Sequence, residues 1–144
     1  MSTGKVHLQV SLTAAIPLAA VSILATVYTN NPAMLGLALG AFTGCISTPD
    51  NDHEWTTESE LTVYRFSKTL GALWELFWKP YELMHVHRGT SHTYPKGTIV
   101  RFLYLFWLPI ALSVGWELWP VFWLLVFVGE SVPDLLHLWY DELM

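Results

Sequence analysis

The sequence predicts an all-α membrane protein of about four transmembrane helices in two hairpins, with a polar insert and an interfacial helix between them. Three observations predict it. Hydrophobic residues make up 53% of the chain and charged ones 13%, far below the roughly 25% charged of a soluble domain. Between Lys5 and Asp50 there is no charged residue apart from the titratable His7, which leaves room for two crossings of about 20 residues each. A second apolar pair follows Thr98, and most of the charges lie between the two pairs.

The first pair is expected at 8–29 and 33–48. Asn30, Asn31 and Pro32 break the run between them, because proline donates no backbone hydrogen bond. Pro17 and the many small residues would weaken a soluble helix, yet small residues let membrane helices approach closely. A cleavable signal peptide fits less well, since the start lacks a multiply charged region and a small-residue cleavage site. From Thr48 to Thr98 the composition turns polar. "TPDNDHEWTTESE" is a loop by its Pro, Asn and Asp, and "LTVYRFSKTLGALWELFWKPYELM" carries apolar residues at helical spacing. Its Trp74, Phe77, Trp78 and Tyr81 suit a helix lying at the membrane surface, or one packed over the end of the membrane core. The second pair is expected at 99–115 and 119–141, separated by "WELWP" and with its last helix leaving the membrane.

A chain of 144 residues suits one structural unit, taken as 1–144 with a polar metal-site insert near 49–98. The net charge of −5 is scattered, so no stable nucleic-acid binding is expected. The single cysteine, Cys45, excludes an intrachain disulfide and a thiolate metal cage. Any metal must therefore be held by nitrogen and oxygen.

With four crossings, both termini and the insert share one side, and all seven basic residues fall there: Lys5, Arg65, Lys68, Lys79, Arg88, Lys96 and Arg101. The positive-inside rule makes that side cytoplasmic, and so predicts an inner-membrane protein. The same topology brings every histidine to this face: His7, His53, His85, His87, His92 and His137.

Three stretches then offer metal ligands. Asp134, His137 and Asp141 are three and four residues apart, one stripe of a helix. Glu130 extends it beyond Pro133, as a carboxylate at the membrane boundary. Asp50 and Asp52 alternate in a loop, where they can point at one cation or cap their own backbone. His87 and His92 flank Gly89, which lets the chain turn so that both rings converge. His85 fits no such pattern. Arg88 between them can bind a phosphate or carboxylate oxygen, or a lipid head group.

In this order, "GKVH", "TPDNDH", "HRGTSH" and "HLWYD" resemble the bacterial membrane-bound metal-dependent hydrolases that include the LexA-regulated YdjM-like proteins. A related group of uncharacterised metal-binding membrane proteins is equally similar. The family pattern HR-x-x-[ST]-H falls on His87, Arg88, Ser91 and His92, P-D-x-D on Pro49, Asp50 and Asp52, H-x-x-x-D on His137 and Asp141, and the early histidine on His7. That family is in turn similar to zinc-dependent phospholipase C and single-strand-specific zinc nucleases. Those enzymes recruit an N-terminal tryptophan amine absent here, so one or two metals are expected.

The ligand candidates are thus His7, Asp50, Asp52, His87, His92, Asp134, His137 and Asp141. A His/Asp set without thiolate suits Zn²⁺, with Mn²⁺ or Fe²⁺ if two ions share a carboxylate. Such an ion lowers the pKa of bound water to about 7, which implies a hydrolase with Glu54 as general base and Arg88 stabilising developing charge. The site's place at the lipid bilayer favours a lipid or other phosphoester substrate, and a homo-oligomer is compatible with all of this. The alternative is a non-catalytic protein in which the metal is structural or sensory. A cation transporter is the weaker rival, because no acid or histidine is expected in mid-membrane.

Overall fold

The computed structural model describes residues 4–52, 57–84 and 89–143, and every regular element among them is helical. Helix α1 (Gly4–Thr29) runs through Pro17 without ending. Asn30 then takes a positive φ of 51°, and the Asn31 side chain accepts from the Ala33 amide at 3.0 Å to start a 3-10 turn at Pro32–Met34. This turn shortens the second helix to α2 (Leu35–Ile46), where the sequence suggested 33–48.

The insert holds two helices where one was expected. A capping box between Thr57 and Glu60 starts α3 (Glu58–Phe66), and Ser67, in extended backbone, separates it from α4 (Lys68–Met84). Pro80 lies inside α4 without breaking it. Of the four aromatics expected either at a membrane surface or packed over the core's end, Trp78 and Tyr81 are buried. Their rings pack on Tyr104 of the next helix. The outer face keeps the surface character, with Phe66, Leu70, Leu73 and Leu76 exposed.

Helices α5 (Lys96–Leu112) and α6 (Trp119–Leu143) complete the chain. Phe102, Phe106, Trp123 and Val126 form the core between them. The Trp123 indole donates to Ser113 Oγ at 2.7 Å and the Trp119 indole to the Ile110 carbonyl at 3.0 Å, closing the turn between the helices.

Among the described residues, two segments are long and apolar enough to cross a membrane, Leu8–Thr29 and Trp119–Glu142. Helix α2 has 12 residues, about 18 Å at 1.5 Å per residue, short of the roughly 30 Å hydrocarbon core. Helix α5 has 17 residues and contains the fully buried Arg101. The fold is all-helical as expected, but two helices rather than four have the length of a crossing.

The expected hairpin of the first two helices is present, with Ser22 of α1 donating to the Met34 carbonyl at 2.6 Å. The closest approach lies elsewhere, between α2 and α6. A Cβ on Gly36 or Gly40 would collide with the α6 carbonyls of Phe122 or Val126, and one on Gly129 would meet the Leu37 carbonyl. Only glycine permits this backbone contact. It carries the last turns of α6 to the end of α2, where the polar residues lie.

Candidate metal centre

Pro49 follows α2 and fits the first position of a 3-10 turn, Pro49–Asp52, that carries Asp50. A second such turn, Thr90–His92, leads toward α5 and carries His92. The outer turns of α6 supply His137 and Asp141, four residues apart on one helical face. Three segments distant in sequence therefore meet.

They meet at donor atoms. One such atom from each of Asp50, His92, His137 and Asp141 lies within 4.8 Å of all the others. His92 Nε2 is 3.4 Å from Asp50 Oδ1, and His137 Nε2 is 3.5 Å from both Asp50 Oδ2 and Asp141 Oδ2. Two imidazole nitrogens and two carboxylates gathered within this radius are a donor set of the kind that holds a divalent ion.

Burial is graded across the cluster. The His137 side chain is 1% exposed and that of His92 12%, while Asp50 and Asp141 are each 32% exposed. The histidines form the floor and the carboxylates the rim. Burial alone would raise the Asp50 carboxyl, but hydrogen bonds and charge from His137 and His92 outweigh it and hold the group well below the usual carboxylate range. Asp50 is thus kept in the ionised form that binds a cation.

Asp134 belongs to a different set. Its Oδ2 accepts from Thr98 Oγ1 at 2.6 Å and from Arg101 Nη2, with both Asp134 and Arg101 fully buried. The sequence places Asp134 among the ligand candidates beside His137 and Asp141, but the structure does not bring it into the four-donor cluster. One turn deeper, Glu130 Oε1 accepts from Ser47 Oγ at 3.0 Å. Sequence reasoning missed Arg101, Thr98 and Ser47 as partners. The available signal was Arg101 itself, a charge within an apolar run that demands a buried counter-charge.

These inner bonds position the outer ligands. Ser47 stands three residues before Asp50, Asp134 three before His137, and Thr98 six after His92. Each ligand-bearing segment is therefore tied to α6 or α5 just below the cluster.

His7 lies in the first turns of α1 and Asp52 in the Pro49–Asp52 turn, but their side chains are outside the described residues. His87, and the proposed general base Glu54 and charge-stabilising Arg88, are also outside them.

No curated protein and no solved structure matches the chain. A family model described as uncharacterized metal-binding protein (DUF2227) matches residues 2–142. That description supports the metal-binding part of the resemblance drawn from the motifs and names no hydrolysis. With nearly its whole length matched, the chain belongs to the DUF2227 family of uncharacterized metal-binding proteins.

Proposed function

We propose that this protein binds one divalent ion through Asp50, His92, His137 and Asp141, and that the ion clamps the two ligand-bearing turns onto the end of α6. The carrying observation is the convergence of four donor atoms within 4.8 Å from three separate segments. Zinc is the ion of choice, because a His/Asp donor set without thiolate suits it. Four protein ligands also describe a closed, structural site better than an open one.

The ion would sit at the cytoplasmic face of the inner membrane. The two apolar segments long enough to cross support the membrane, and the shared side of the basic residues supports the orientation. The four-crossing arrangement stays part of this reading if α2 with its preceding turn, and α5, cross a locally thinned bilayer.

A phosphoester hydrolase is the second reading, favoured by the partial exposure of Asp50 and Asp141. A bound divalent ion supplies Lewis acidity toward water and a phosphoryl oxygen. His92 and His137 would hold the centre's floor while a rim carboxylate accepts a proton from attacking water.

Metal analysis of the detergent-purified protein tests the first reading. Wild type should carry close to one zinc per chain, and His137→Ala little or none. Wild-type protein purified without any stoichiometric transition metal would sink it. A screen of phosphomonoesters and phosphodiesters on the loaded protein tests the second, which fails if no turnover depends on His92 and His137.

A further inference from the structure

The metal centre uses only the outer end of the polar stripe on α6. Deeper on the same face, Glu130 and Asp134 stand one turn apart, both with no exposure. Glu130 lies at the middle of the apolar segment Trp119–Glu142, not at its boundary as the sequence suggested. An ionisable side chain at that depth is costly and marks a functional site by default.

Half of each carboxylate is satisfied. Ser47 donates to Glu130 Oε1, and Thr98 and Arg101 donate to Asp134 Oδ2. The other two oxygens, Glu130 Oε2 and Asp134 Oδ1, are buried with no hydrogen-bond partner. Residues four apart on a helix are neighbours, about 5–6 Å between Cβ atoms, so the two carboxylates stand on one face of α6.

Charge points the same way. The groups around Glu130 are Ser47 from the end of α2, Thr98 and Arg101 from α5 and Asp134 from α6, with the Tyr81 phenol of α4 near Arg101. Among these described residues Arg101 alone carries positive charge, against two carboxylates. Among these described groups one negative charge is in surplus in a buried setting, where unpaired charges are avoided.

We propose that Glu130 and Asp134 form a second cation site, distinct from the metal centre, that takes one monovalent cation through Glu130 Oε2 and Asp134 Oδ1. The surplus of one charge sets the valence, and an all-oxygen donor set suits a proton or a sodium ion. The site continues the stripe of His137 and Asp141 into the candidate span, which places a cation-binding group in mid-membrane after all.

Two measurements on full-length, metal-loaded protein in detergent separate the occupants. A proton gives an infrared carbonyl band of a protonated carboxyl that shifts in deuterium oxide, disappears in Glu130→Gln and moves when Ser47→Ala removes its hydrogen bond. Sodium gives a melting temperature that rises with sodium chloride, but not with choline chloride at equal ionic strength, and a Glu130→Gln variant that no longer responds. Either signal persists in His137→Ala, which removes a ligand of the metal centre, and this separates the two sites. If Glu130→Gln fails to fold, the wild-type spectrum and salt series with the Ser47→Ala shift still decide. Wild type showing neither the carboxyl band nor a sodium-specific shift overturns the proposal.

Discussion

Arg101 and Asp134 illustrate how a single charge survives inside an apolar helix. Removing one partner of a buried pair leaves the other uncompensated, at about 3–5 kcal/mol, while replacing both by apolar groups of similar size is often neutral. Arg101→Leu should therefore cost the protein on the order of 3–5 kcal/mol in denaturant titration, and Arg101→Leu with Asp134→Leu should recover most of it. A double variant no more stable than the single one would show that Arg101 packs rather than pairs. The same residues mark the limit of what was legible in the sequence. The 3.6-residue period correctly places His137 and Asp141 on one face, and the stripe extends back to Asp134. Yet from Asp134 to Asp141 the helix rises about 10 Å at 1.5 Å per residue, too far for one ion whose donors lie within 4.8 Å. Asp134 instead meets Arg101 on another helix, and a contact across 33 residues of sequence leaves no local pattern.

Helix α2 makes the same point for a whole element. Its Gly36, Gly40 and Gly44 recur at every fourth position, and such spacing announces a close helix contact. The partner was not announced. Chain order suggests α1, but the glycines face the backbone of α6, where a Cβ on Gly44 would come within 2.9 Å of the Glu130 carbonyl oxygen. Because neither backbone can yield far, Gly40→Val should lower stability by about 1–3 kcal/mol or more through overpacking. Ala20→Val on the exposed side of α1 should be close to neutral. A thermal melt of both variants checks this, and equal melting temperatures would remove the α2–α6 contact from the fold's essentials. Separation of the helices would also reach the site. Ser47 at the end of α2 and Glu130 on α6 are held 3.0 Å apart, and Asp50 follows three residues after Ser47. Gly40→Val should therefore bind zinc more weakly than wild type even where it remains folded, measured by competition with a chromogenic chelator.

For the molecule as a whole, the proposed ion would tie together three segments that are distant in sequence. Asp50 and His92 lie on short turns, whereas His137 and Asp141 stand on the long helix α6. A ligand that binds only the folded state stabilises it by RT ln(1 + [L]/Kd), about 4 kcal/mol at a concentration a thousandfold above Kd. Stripping zinc with a chelator should accordingly lower the melting temperature by on the order of 10 °C for a chain of this size, and restoring zinc should reverse it. Acid should act in the same direction, because metal ligands must be deprotonated to bind and protons compete with the ion for them. Chelator-sensitive stability is thus expected to fade as the pH falls. His137→Ala provides the control, since its melting temperature should already be low and should no longer respond to chelator or to added zinc. A wild-type melting temperature indifferent to both would mean that the four donors meet without an ion to join them, and the clamp would have to be abandoned.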